Sequence, residues 1–394
     1  MLQLPRIVVS PMADVTNWPY RIICQKFGGQ YSPNVEKLAN DPNIDPTDNE
    51  TLASNPNIDP TGALYVSEMV NATAISMRIP ASEKLLQFHP SEKFRSLQIF
   101  GNDPADFESA AGRIVAENLA DHLDLNFGCP AAKITRKGGG SALPWKTKIL
   151  EEVCERVSAQ TNGKILLSAK FRIGLDDDHK TYMKTAKICE KYGFDFVTLH
   201  ARTTAQHYSG KADWNAISLL KNEINIPVYG NGDVFSRSDI DLMFDETGCD
   251  GVAIGRGILG RPWLIASENP FSNNDSGEPN FGFVADIFKE HLTNLIEFHK
   301  TDNRFNEPHT DPNWGEYHAI KDIRKFVSWY FKGYPVGSSF RSSMVTAKTS
   351  QEVFDILNSV DRDLEIDPKI IDDPRGKTSA LSKLHLPENW LESE

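Results

Sequence analysis

The chain has 394 residues, of which 40% are hydrophobic and 24% charged, with a formal net charge of −12. That length and composition exclude a disordered chain and point to one large core with a smaller unit beside it. The acidic balance argues against nucleic-acid binding by bulk charge, although it leaves local patches open.

The first strand-like run starts at Ile7 with no signal-peptide pattern before it, and no apolar stretch is long enough to span a membrane. Five scattered cysteines (Cys24, Cys129, Cys154, Cys189, Cys249) show no metal-ligand spacing. The expectation is a cytoplasmic protein with no disulfide, no metal, no membrane association and no indicated protein partner.

Eight short apolar runs follow in order: "IVVSPM" (7–12), "LYVSEM" (64–69), "SLQIFG" (96–101), "HLDLNFG" (122–128), "ILLSAKF" (165–171), "FDFVTLHA" (194–201), "IPVYGNGD" (226–233) and "CDGVAIGRG" (249–257). Amphipathic stretches lie between them, at Asp106–Asn118, Lys148–Gln160, Lys180–Tyr192 and Ser236–Asp245, after a first helix at Trp18–Gly28. Strands alternating with helices pair in parallel. Eight such units predict a (β/α)8 TIM barrel over 1–270; a doubly wound open sheet is the alternative that the even spacing disfavours.

An acidic insertion, 33–62, interrupts the pattern with a near repeat, "DPNIDPT" and "NPNIDPT", and six acids against one lysine. It reads as an exposed duplicated loop, and its ligand spacing is too sparse for a calcium loop. Beyond the barrel, 283–360 has helical period at Phe283–His299, Trp314–Phe331 and Ser350–Asn358, which predicts a smaller C-terminal helical domain. Within it, Lys321 to Lys348 carries six basic residues against one acid, +5 in a chain of −12, with aromatics interleaved. This is either a solvated helix face or an RNA-facing patch. Residues 361–394 read as an acidic, proline-containing, exposed tail.

Barrel chemistry gathers at the carboxyl ends of the strands. "GNGDV" (230–234) after strand seven and "IGRGILGRPW" (254–263) after strand eight occupy the two loops that form a barrel's phosphate pocket. Gly232, Gly255 and Arg256 are its candidates, with Asp233 beside them. Lys170 on strand five is expensive inside a barrel unless it meets an anion or oxygen acceptor, such as the N1–C2=O edge of a reduced flavin. Gln98 and Asn231 offer amides, His200 ends strand six, and Pro11, Met12 and Ala13 offer a floor. A sugar phosphate could use some of the same groups. Cys129 follows strand four in "NFGCP", in a loop at the catalytic face, whereas the other cysteines sit on helices or at a strand start. Its thiol, protonated at neutral pH, can donate a proton to a carbon that becomes an enolate; a buried structural cysteine is the alternative. Gly138–Gly140 behind it are read as a lid that could move.

"SPMADVTNWPYR", "SEMV", "LQIFGNDP", "DLNFGCPAAKITRKGGGSAL", "AKFRIG", "LHARTTAQHYSGKADW", "VYGNGD" and "GVAIGRGILGRPW" together resemble the bacterial-type, FMN-dependent tRNA-dihydrouridine synthase family, in order across almost the whole barrel. "DIRKFVSWYFKG" (322–333) resembles its helical RNA-binding domain. The resemblance implies reduction of uridine in tRNA by FMN, with NADPH as reductant. It implies that Cys129 protonates C5 of uracil, that Lys170, His200, Gln98 and Asn231 hold the flavin, and that Gly232, Gly255 and Arg256 hold its phosphate. Asn126 and Arg202 would meet the substrate, and Lys321, Arg324 and Lys325 the tRNA. This chain departs from the family pattern at Asp14 and Asn17, and at Phe326, where a histidine is usual. Other FMN barrels of dihydroorotate dehydrogenase or ene-reductase type, and a non-catalytic RNA-binding barrel, are the rival readings.

Overall fold

A computed structural model describes residues 4–31, 62–274, 276–300, 311–376, 378 and 383–392. Apart from Gly62, the acidic insertion lies outside the described residues. The eight apolar runs form strands β1 (Ile7–Val9), β2 (Leu64–Asn71), β3 (Ser96–Phe100), β4 (His122–Phe127), β5 (Leu166–Arg172), β6 (Phe196–His200), β7 (Val228–Asn231) and β8 (Gly251–Ile254). Each pairs in parallel with the next, and β8 pairs with β1, so the sheet closes into a barrel. Closure leaves both strand faces covered, and β4 and β6 are buried along their whole length.

The amphipathic stretches become the helices Trp18–Gly28, Pro104–Ala116, Thr147–Thr161, Tyr182–Lys191 and Arg237–Thr247. Local signals set their starts. Asn17 accepts from Tyr20 N, Asp103 accepts from Ala105 N ahead of Pro104, and Ser236 with Asp239 forms a reciprocal capping box. Asn17 thus does the capping that an aspartate does as well. The helix Trp214–Glu223 is not among the expected elements. It buries only Ala216, Ile217 and Leu220, a stripe too narrow to stand out in the sequence.

The C-terminal helices are Phe281–Lys300, Trp314–Tyr330, Gly337–Thr346 and Ser350–Asn358. Aromatic rings lock the first two together: Phe288 lies 5.5 Å from Tyr330, and His291 lies 4.5 Å from Phe326. Tyr20 of the first barrel helix stacks 5.5 Å from Phe326, and a Cβ on Gly260 would come within 2.3 Å of the Trp329 backbone. The helical unit therefore sits against the first and last barrel units. Each aromatic buried there contributes roughly 1.5–3 kcal/mol relative to exposure. Phe326, fully buried, is core.

Most of the described residues of 361–394 are exposed, yet the segment is anchored to the rest of the protein. Ile366, Ile371 and Arg375 are buried, and Trp390 returns to the barrel, donating to Ala142 O at 3.1 Å. Prolines and acids signal exposure on average, and they mask the apolar residues spaced between them. Among the described residues no helix is long and apolar enough to cross a membrane.

Candidate active site

The carboxyl ends of β5 to β8 and the loop after β1 form an open cleft of about 530 Å³, counting its space open to solvent. Pro11, Met12, Lys170, His200, Asn231, Gly232, Asp233, Gly255 and Arg256 line it, together with Ser10, Tyr208 and Phe235. The two-residue period of β5 puts Lys170 and Arg172 on one face, and register pairs them with Asn126 of β4 and His200 of β6. Lys170 Nζ donates to Asn231 Oδ1 at 2.9 Å, and Asn231 Nδ2 donates to Ala253 O at 2.6 Å. Burial lowers the Lys170 pKa to about 7, with Arg172 adding to the effect and Asp124 opposing it. An acceptor placed against Lys170 restores its charge. Burial, then Arg172 and Lys170, hold His200 well below the usual imidazole range, so its ring is neutral at pH 7.

At the other end of the cavity one carboxylate sits between two guanidiniums. Asp233 accepts from Arg202 Nη2 at 2.7 Å and pairs with Arg256 Nη2 at 3.4 Å. The Arg256 guanidinium lies 4.6 Å over the Tyr208 ring. The surplus positive charge suits an anion. Gly232 (φ 124°) is demanded by the fold, since a Cβ there would meet Ala212 at 2.8 Å. Gly255 is not: a Cβ there meets nothing closer than Ser10 at 3.7 Å, so its absence leaves room for a ligand. The buried Ser10 Oγ has no hydrogen-bond partner among the described residues. A donor lysine, an orphaned hydroxyl, an open glycine and a cationic end fit a planar heterocycle carrying a phosphate.

Cys129 stands beyond the end of β4, outside this lining. Asn126 Oδ1 accepts from Gly128 N at 3.1 Å and Cys129 N at 2.9 Å, which fixes the turn. Arg172 Nε donates to Gly128 O at 3.0 Å, while its Nη1 donates to Thr203 O and His207 O. One arginine thus ties the cysteine turn to the 203–210 loop. Burial raises the Cys129 pKa, and the lesser influence of Ala131 N–H, Arg172 and Lys133 does not offset it, so the thiol stays protonated at neutral pH. The other four cysteines are fully buried. Gly138, Gly139 and Gly140 are buried too, which corrects the reading of a lid. A Cβ on Gly140 (φ 56°) would meet Cys129 O at 2.6 Å, and one on Gly138 (φ 80°) would meet the Trp390 ring at 2.5 Å. These glycines serve close packing behind the thiol.

Other expected residues fall elsewhere. Ala13 is exposed and does not line the cavity, and Gln98 lies behind it, buried, with its amide between Asp124 and Asn126. Arg202 is 1% exposed and holds Ser209 O, Gly210 O and Asp233, so it braces the loop at the cationic end of the cleft. Lys321 is exposed over the Tyr317 ring, Arg324 donates to Ala347 O at 3.0 Å, and Lys325 is near enough to Glu68 of β2 to favour its charge. All three lie on one face of the helix Trp314–Tyr330, at i, i+3 and i+4, but each has a different partner. Tyr208, which lines the cleft, and Arg172, which joins the cysteine turn to the 203–210 loop, had no role assigned from the sequence. The period-2 spacing from Lys170 was the signal for Arg172, whereas nothing in the sequence separated Tyr208 from its loop neighbours.

Fold and site together define a barrel enzyme whose chemistry gathers at the carboxyl ends of its strands. Comparison with known proteins narrows this. The family model for dihydrouridine synthase (Dus) matches residues 7–365, and the chain belongs to that family. It is 39% identical over 388 residues to a probable tRNA-dihydrouridine synthase of Mycobacterium leprae, covering 98% of this chain and 95% of the relative. It is 37% identical over 389 residues to that of Mycobacterium tuberculosis, covering 98% and 89%. Against tRNA-dihydrouridine synthase B of Vibrio cholerae, identity is 29% over 353 residues, covering 89% and 94%.

Proposed function

We propose that the protein reduces the C5–C6 double bond of uridine in tRNA, with FMN held in this cleft and NADPH as the reductant in the cytoplasm. The observation that carries this reading is the placement of Cys129 in a turn held by Asn126 and Arg172, just beyond the strand whose neighbour β5 carries Lys170 into the cleft. Family membership supports the overall reaction.

Lys170, His200 and Asn231 would hold the heterocycle, and Arg256, Gly232, Gly255 and Ser10 its phosphate. The reduced flavin, when bound, supplies a hydride to C6 of the uracil. Cys129 then gives its proton to C5, so that one hydride and one proton complete the saturated bond. Asn126 spends its carbonyl on the cysteine turn and its two amide N–H groups on Gln98 Oε1 and Met69 Sδ, so a pyrimidine would take the N–H that now meets the sulfur. Arg172 holds the turn and the 203–210 loop in one piece. The target base has to leave its stack to reach this rim, and of Lys321, Arg324 and Lys325 it is Lys321 that stands exposed to meet tRNA phosphates.

Purified protein should carry or take up FMN, absorbing in the visible. With NADPH it should form dihydrouridine in tRNA and leave free uridine or enones unreduced. Reduction of a free small molecule with no product in tRNA would replace this reading with that of another flavin barrel.

A further inference from the structure

A line of polar side chains runs up the inside of the barrel beneath the candidate site, and no role described above uses its lower half. We propose that Asp124 is a positioning residue: a buried carboxylate that sets the direction of the Gln98 and Asn126 amides and, through them, the turn that carries Cys129. The proposal rests on the reading of Cys129 and the FMN cavity given above.

The directions follow from proton counting. Asp124 is 3% exposed. Its Oδ2 accepts from Gln98 Nε2 at 2.6 Å, and its Oδ1 accepts from Ser168 Oγ. A carboxylate has no proton to give, so Gln98 presents its NH2 to it. Gln98 Oε1 is then left to accept from Asn126 Nδ2, which lies at 2.8 Å. That leaves Asn126 Oδ1 for the N–H groups of Gly128 and Cys129. With an amide at position 124 the first constraint goes. Gln98 could turn over, and a turned Asn126 would set its NH2 against the Cys129 N–H, donor to donor.

The same counting continues downward. Ser168 spends its proton on Asp124, so His122 Nε2, at 2.9 Å, donates to Ser168 Oγ. His122 Nδ1 then accepts from Ser96 Oγ at 2.7 Å. This needs a neutral imidazole, and burial lowers the His122 pKa to about 3. The line from Ser96 to the Cys129 N–H thus has every direction assigned. Burial in turn raises Asp124 to about 6, with Ser168, Gln98 and Lys170 holding it down. The titratable groups facing it are Lys170 from β5 and His122 from its own strand; Gln98 and Ser168 are its uncharged partners. Asp124 is also the group that opposes the loss of the Lys170 proton. An interior of buried polar groups is tolerated only when each is satisfied, and here the anion satisfies Gln98 above it and Ser168 beside it.

The test compares Asp124→Asn and Ser168→Ala with the wild type. Asp124→Asn should weaken FMN binding by the apoprotein about tenfold and lower kcat for dihydrouridine about 10- to 100-fold, with KM for tRNA unchanged. It should also change the rate at which a thiol reagent labels Cys129 in the apoprotein. Ser168→Ala keeps the Gln98 bond but removes one that stabilises the carboxylate. FMN binding by that apoprotein, followed against pH, should lose affinity at a higher pH than the wild type, by roughly one unit. Asp124→Asn with wild-type FMN affinity, kcat and labelling rate overturns the proposal. So does an unmoved acid limb in Ser168→Ala, which decides the matter even if Asp124→Asn fails to fold. Wild-type protein that neither binds FMN nor forms dihydrouridine refutes the functional reading instead, and the two failures are told apart by that control.

Discussion

The two ends of the site are held by different means. At the end proposed for the cofactor, side chains projecting from β5, β6 and β7 line the cleft, and two of them are held by one another or by a strand carbonyl, as Lys170 is by Asn231 and Asn231 by Ala253. At the cysteine end, backbone is held by groups from outside the turn: Asn126 and Arg172 grip N–H and C=O groups, glycines pack behind, and Trp390 arrives from the far end of the chain. A scaffold built this way can separate its two duties. On the proposed reading the strand-borne side chains would set affinity for a bound ring, and the loop-borne thiol would set proton delivery. Substitutions at the two ends should therefore register in different measurements.

The largest expected effect is at the cysteine end. Cys129→Ala should lower dihydrouridine formation by about 10²- to 10⁴-fold, the range of a lost general acid, and leave FMN affinity within twofold. Because the thiol pKa is raised by burial, the donor form persists through neutral pH. The wild-type single-turnover rate should thus fall only as pH climbs above the ordinary thiol range. A rate that falls on acidification through pH 8 instead would assign the thiolate, and a different mechanism. Second in size, Lys170→Met should weaken FMN binding about 10- to 100-fold, the loss of one hydrogen bond from a charged donor, while Cys129 labelling in the apoprotein stays unchanged. Cross-talk, with each substitution moving the other's readout equally, would break the separation.

The sequence carried the cofactor end better than the cysteine end for a physical reason. Strand residues obey a period, and the ends of eight parallel strands converge on one face, so Lys170, His200, Asn231 and Arg256 could be placed together from spacing alone. Cys129 was legible as a residue, but its supports were not. Asp124 and Ser168 look like ordinary strand positions until register brings them side by side. Trp390 lies 248 residues from its partner Ala142, a distance over which no local pattern carries information. The helical unit shows the same limit. Its basic content was plain, yet the division of Lys321, Arg324 and Lys325 between solvent, a helix end and the barrel depends on packing that charge counting does not see.

A smaller effect should follow from loosening the support behind the thiol. Trp390 covers Gly138, bonds to Ala142 O and lies 5.0 Å from Lys146 Nζ. Trp390→Ala should reduce dihydrouridine formation about three- to tenfold, speed tryptic cleavage at Lys133, Arg136 or Lys137, and leave FMN affinity as it was. Unchanged cleavage would mean that the glycine segment holds itself and the tail merely rests on it.

The smallest effect tests the same division of labour in the helical unit, where two neighbouring cations of one helix have different surroundings. Lys321 is exposed, whereas Arg324 is half-buried and spends a guanidinium N–H on Ala347 O, at the end of the helix Gly337–Thr346. Lys321→Ala should weaken tRNA binding a few-fold and reduce the salt dependence of log K by about one unit of slope, without moving the melting temperature. Arg324→Ala removes a hydrogen bond to a helix end worth about 1 kcal/mol, so it should lower the melting temperature by about 1–3 °C and leave the salt slope alone. Equal changes of slope in the two variants would put both cations on the RNA. The Ala347 contact would then belong to the free protein only, exchanged for a phosphate when tRNA binds.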